Sequence, residues 1–129
     1  MKYRRRRDFL VFGKPFIGQE EIAEVVDTLR SGWWGTGPKT QLFEKEFANY
    51  VKAKYSVSVN SATAGLHLAL KVIDLRPGDE VITTPLTFVS TVNMVIHAGG
   101  KPVFADVDRK TWNIDPNQIA KKITPRTRA

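Results

Sequence analysis

Three stretches of this chain carry side chains suited to chemistry, and each follows a run that reads as a β-strand. The first is Asn60-Ser61-Ala62-Thr63-Ala64-Gly65, where the valine-rich Tyr55–Val59 hands over to a leucine pattern. Small residues let a ligand approach the backbone. The free N–H groups of a helix's first turn, with the helix dipole, favour an anion there. The hydroxyls of Ser61 and Thr63 can add donors. The same residues also suit a plain turn with Asn60 or Ser61 as helix cap, so from residue types alone a phosphate cup and a capped turn stand level. The loop holds no lysine, which excludes a nucleotide-triphosphate P-loop.

The second stretch runs from Thr83 to Asn93. Phe88 stands just past a strand end, where it can lie flat on a planar ligand; residue type alone favours a core aromatic instead. The third carries Asp106 and Asp108, which face the same way on an extended segment and suit capping or turn-making as well as function. Ser90 and Thr91 lack a nearby base. No Ser/His/Asp arrangement and no catalytic set is present. His67 and His97 are the only histidines and lack metal-ligand spacing, so each reads as a helix-surface or satisfied interior residue and no metal site is expected. Cysteine is absent, which removes disulfides and thiolate metal sites and fits a cytoplasmic protein.

These stretches need elements to position them. Ile22, Val25, Val26 and Leu29 recur at helical spacing and predict a helix over Gln19–Ser31, with acid in its first turns and Gly32 as its stop. WWGTGPK is a loop. A second helix is predicted from Thr40 to Val51, a strand over Tyr55–Val59, and a helix over Ser61–Ile73. Arg76 to Asp79 is a turn, Glu80–Thr84 a strand, Val89–His97 a helix, and Lys101–Ala105 a third strand. Asp115 and Pro116 open a last helix toward Ile123. Helices alternating with strands across short connections imply a parallel sheet covered by helices. In such sheets ligands gather at the carboxyl ends of the strands, where all three stretches lie. The closing TPRTRA reads as a run-in to something further.

A chain of 129 residues, 42% hydrophobic and 26% charged, is long enough for one ordinary globular domain. No apolar run approaches the roughly 20 residues of a membrane span, and no secretory h-region follows the basic start. The net charge of +7 is concentrated: Lys2 and Arg4 to Arg7 supply +5, leaving +2 on the other 122 residues. Residues 1–8 therefore read as a solvated basic tail ahead of a domain over 9–129, and the nearly neutral body argues against nucleic acid.

Taken together, SGWWGTGPKTQLFEKEFANYV, SVNSATAGLHLAL and PGDEVITTPLTFVSTVNMVIHAGGKPVFADVD resemble the opening third of the DegT/DnrJ/EryC1/StrS aminotransferases, over roughly Phe9 to Ala129. The resemblance implies a three-layer α/β/α fold with a mostly parallel sheet, the fold type I of pyridoxal-phosphate (PLP) transferases, here as an incomplete large domain. It implies that Ser61, Ala62, Thr63 and Ala64 receive the PLP phosphate, chiefly at Thr63 and Ala64, and that Phe88 stacks on the pyridine ring. It places the loop Gly35-Thr36-Gly37-Pro38 near the active site and a dimer contact. The implied substrates are a nucleotide-linked keto-sugar and an amino donor such as glutamate, with a homodimer as the assembly. The lysine that bonds to the cofactor aldehyde and the carboxylate that pairs with the pyridinium nitrogen match no position here, and Asp106 and Asp108 do not substitute for the latter. In this fold the strand matching Tyr55–Val59 sits at one side of the sheet, the next two at the other, and later strands fill the gap. The implied reading is half a cofactor site without a catalytic residue, or a non-catalytic interaction module of the same family.

Overall fold

The computed structural model describes residues 7–9 and 11–129. The basic head from Lys2 to Arg6 lies outside the described residues. The elements in chain order are α1 (Gln19–Ser31), α2 (Pro38–Val51), α3 (Ala62–Val72), β1 (Glu80–Thr83), α4 (Ser90–His97), β2 (Lys101–Phe104) and α5 (Pro116–Ala120). The chain divides into two compact units, one up to Ser58 and one from Val59 onward.

The first unit is a helix pair. α1 has the expected bounds. The Glu21 carboxylate turns back to accept the Gly18 N–H at 2.6 Å, and Gly32 ends the helix in the left-handed region at φ 75°. α2 begins at Pro38, two residues before the expected Thr40, because proline's fixed φ and missing N–H suit the first helical position. Lys39 ties the two helices together, reaching Glu24 at 2.5 Å and Asp27 at 2.8 Å. Tyr55–Val59 is not a strand, contrary to the sequence reading. A strand exists only through its partner's hydrogen bonds, and no strand among the described residues pairs with it. The Ser58 N–H instead goes to the Glu44 carboxylate at 2.7 Å.

The second unit holds the sheet. β1 and β2 pair in parallel, from Glu80 opposite Lys101 to Thr83 opposite Phe104. The other edge of β1 is also used. Glu80 N–H donates to the Arg126 carbonyl at 2.8 Å, Arg128 N–H to Glu80 at 2.8 Å, and Ile82 N–H to Ala129 at 2.9 Å. The closing residues thus run parallel to β1, which becomes the middle of three extended segments. Leu75, Val81, Val95 and Ala98 form the buried core, with Leu70 and Ile73 packed against it. Gly100 is required beside this core, because a Cβ there would collide with the Leu75 side chain. α5 is capped by Asp115, which accepts the Asn117 N–H at 2.8 Å, with Pro116 at its first position as expected. It ends at Ala120, short of the expected Ile123, because the chain turns there to bring Thr124 against Glu80.

Glu80 is the one buried charged residue among those described. Its carboxylate accepts the Thr124 hydroxyl at 2.7 Å, the Arg126 guanidinium at 3.1 Å and the Lys101 ammonium at 3.4 Å. Arg128 reaches further and donates to the Ile73 carbonyl at 3.1 Å, a cation at the C-terminal end of α3. The hydroxyl of Thr124 and the charge of Arg126 hold the Glu80 carboxyl down at about 2, below its ordinary 4.5. A depressed carboxyl contributes stability that is present in full above its unfolded value and lost as pH falls toward the folded one. Acid titration followed by circular dichroism is therefore expected to show a loss of stability between pH 4.5 and 2. In Glu80→Gln that component disappears and the segment 126–129 exchanges its amide protons faster at neutral pH.

Candidate functional site

The C-terminal ends of α3 and α4 meet in the core with Val81 at the start of β1. The two helices therefore run in the same sense, and their N-termini open toward the carboxyl end of β1. The Ser61 hydroxyl accepts the Ala64 N–H at 3.2 Å and donates to the Asn60 side chain at 3.3 Å. Ser61, not Asn60, is the cap. Once Ala64 is engaged, the N–H groups of Ala62 and Thr63 have no protein acceptor among the described residues. They remain, with the Thr63 hydroxyl, as the donors an anion can meet. Ser61 and Ala62 are exposed, and Thr63, Ala64 and Gly65 are half-buried, so the turn is accessible.

Charge separates this helix start from that of α1. α1 has Glu20 and Glu21 in its first turn, and its own carboxylate fills the N-terminal position. α3 has no acid in its first turn. A phosphate at α1 would meet like charge; at α3 it would meet only dipoles and hydroxyls.

Phe88 lies in the loop between β1 and α4 and is 75% exposed. The core-aromatic reading of this residue is therefore wrong: Phe88 presents its ring to solvent beside the start of α4. Thr87 and Thr91 bond to each other through their hydroxyls at 3.1 Å across the same turn. Asp108 is a turn-maker, with its carboxylate folded back onto its own loop. It accepts the Thr111 N–H at 2.8 Å and the Lys110 N–H at 2.9 Å. These bonds, Thr111 first, lower its pKa. Asp106 likewise accepts the next N–H, of Val107, at 2.8 Å.

In the first unit, the Gly35–Pro38 loop borders a cavity of about 250 Å³ lined by Trp33, Trp34, Asp27 and Lys39 among others. Trp33 packs on Gly37, where a Cβ would sit 3.1 Å from the indole, so a larger residue would push the ring back by a few tenths of an ångström. One pair was invisible to sequence spacing. The rings of His67 and His97 meet edge to face, centroids 4.8 Å apart, and the buried Nε2 of His67 has no hydrogen-bond partner. His67 is half-buried on α3 and His97 exposed at the end of α4.

The DegT/DnrJ/EryC1/StrS aminotransferase family model matches residues 15–129. The chain belongs to this family. Spore coat polysaccharide biosynthesis protein SpsC of Bacillus subtilis (strain 168) is 58% identical over 97% of the chain, which spans 32% of that relative's length. A putative sugar aminotransferase from Streptococcus pneumoniae, solved in a PLP form, superposes with a TM-score of 0.85 at 42% identity, covering 92% of this chain and 30% of that one. The aminotransferase from Psychrobacter cryohalolentis superposes with a TM-score of 0.81 at 40% identity, covering 88% and 29%. The fold is thus that of the fold type I PLP transferases, and this DegT/DnrJ/EryC1/StrS chain spans part of their large domain. Among the described residues no helix is long and apolar enough to cross a membrane.

Capping of α3 has a measurable consequence. Ser61→Ala is expected to lower stability by about 1 kcal/mol in urea unfolding, whereas Ser61→Asn, an equally good cap, retains most of it.

Proposed function

We propose that residues 9–129 are the N-terminal part of the PLP-binding domain of a cytoplasmic sugar aminotransferase, with residues 1–8 as a basic tail. The reading is carried by one observation: α3 opens on free N–H groups and hydroxyls with no acid in its first turn, at the turn to which the family resemblance assigns the phosphate. The resemblance points chiefly to Thr63 and Ala64; because Ser61 already takes the Ala64 N–H, Thr63 and Ala62 donate to the phosphate, and Ser61 and Ala64 shape the turn that holds it. Phe88 offers its exposed face to the pyridine ring. When bound, the cofactor supplies the electron sink for amino transfer. The substrates of the whole enzyme are a nucleotide-linked keto-sugar and glutamate, and its assembly is a homodimer. This chain contributes half of the cofactor site and no catalytic residue, since no lysine here matches the position that bonds to the aldehyde.

Pyridoxine 5′-phosphate, which has no aldehyde to react with surface lysines, is the discriminating probe. Tryptophan fluorescence is expected to show saturable binding that inorganic phosphate reverses. Phe88→Ala is expected to weaken it by up to about tenfold, the worth of an aromatic contact. With PLP, glutamate and a keto-sugar nucleotide, the chain forms no amino-sugar. Absence of phosphate-reversible binding, or appearance of amino-sugar, overturns the reading.

The exposure of the α1 face at Ile22, Val25 and Leu29, and of the α2 face at Leu42, Phe43 and Phe47, favours a second reading. In it the chain is a non-catalytic module that associates with a full-length member of its family. Mixing it with such a protein is then expected to give a stable heteromeric peak in size-exclusion chromatography and a changed amino-transfer rate. Separate elution with an unchanged rate removes this reading.

A further inference from the structure

Phe88 is 75% exposed, so few neighbouring side chains hold its ring. The direction of such a ring is set by the backbone that carries it and by the few staggered positions that backbone allows. Here the backbone is fixed on both sides. Upstream, Pro85 has its φ locked, and the Thr84 hydroxyl accepts the Leu86 N–H at 3.1 Å. Downstream, the Thr87 and Thr91 hydroxyls meet at 3.1 Å, and the Phe88 carbonyl accepts the Thr91 N–H at 3.1 Å. These bonds close the segment from Thr87 to Thr91 into a turn with Phe88 inside it. The hydroxyl bridge stands where a helix cap ordinarily would, since the N-cap of α4 is Val89 and makes no side-chain cap bond. Threonine suits the task, because branching at Cβ leaves each hydroxyl few directions.

We propose, on the basis of the stacking role given to Phe88 above, that Thr87 and Thr91 are positioning residues whose hydroxyl bridge holds the Phe88 backbone in the conformation that presents its ring to the cofactor pyridine. Each acts through Phe88 and not by its own contact with the ligand. The physical reason is preorganisation. A side chain that must be ordered on binding loses rotational freedom, which offsets much of what one stacking contact contributes. A ring already held at its angle loses less. Thr87 is exposed and Thr91 half-buried, so the bridge lies at the surface beside the ring it orients.

Calorimetric titration of the intact chain with pyridoxine 5′-phosphate, run as a double-mutant cycle, tests it. Thr87→Val and Thr91→Val each break the bridge and keep the branched shape. Each is expected to preserve the circular dichroism spectrum and weaken binding about two- to fivefold, the worth of one modest hydrogen bond. Thr91→Ser keeps the hydroxyl and is expected to restore the parent affinity to within about twofold. In a Phe88→Ala background, Thr91→Val is expected to weaken binding no further, which neither a general loosening of α4 nor a direct contact of Thr91 with the ligand would give. Equal losses from Thr91→Val with and without the Phe88 ring overturn the positioning role and leave Phe88 as the stacking residue. So does a Thr91→Val chain that binds as tightly as the parent. A parent chain without saturable binding, or a Phe88→Ala chain that binds as the parent does, overturns the stacking reading and the positioning role with it.

Discussion

The sheet of the second unit is organised around the Glu80 carboxylate. Burying an ionised group is costly unless every lone pair finds a donor. Glu80 meets that requirement with donors from two directions: Lys101 at the start of β2, and Thr124 with Arg126 from the closing residues. Its backbone does the same, exchanging bonds with Arg126 and Arg128. One residue thus fixes which segments flank β1. With the closing residues elsewhere, the carboxylate would keep only Lys101, at 3.4 Å.

That arrangement makes one end of the unit tight and the other open. Leu75, Val81, Val95 and Ala98 close the end where the helices finish, and Arg128 seals the last carbonyls of α3. The opposite end holds the starts of α3 and α4, the exposed Phe88 and the hydroxyls of Ser61, Thr63, Thr87 and Thr91. Rigid support behind open helix N-termini is what an anion site needs, because the donors must already point outward when the ligand arrives. The contrast with α1, whose N-terminus is filled by Glu21, shows that the openness of α3 follows from its sequence.

Much apolar surface stays uncovered. Val72 is 84% exposed and Tyr55 76%, and the faces of α1 and α2 lie open. The chain spans about a third of the length of the curated relatives it matches. β2 guards its own outer edge in part, since Pro102 has no N–H to offer a further strand.

The helices were legible in the sequence because their signals are local. Gly18 with Glu21, Gly32, Ser61 and the Asp115-Pro116 pair mark boundaries within a turn or two, and α1, α3 and α4 fall within a residue of expectation. The motif series around Ser61–Ala64 and Phe88 likewise identified the family, because residue order along the chain carries that signal. What depends on distant partners was not legible. Tyr55–Val59 has strand residues but no neighbour to pair with, and sequence alternation cannot supply one. The acceptor role of Glu80 needs Thr124 and Arg126, more than forty positions away. The contact of His67 with His97 exists only because α3 and α4 pack against each other. Local sequence therefore determined where helices begin and which residues cap them. Tertiary structure alone decided which charges are buried, which strand forms and which side chains meet, because those outcomes rest on groups that only the folded chain brings within reach.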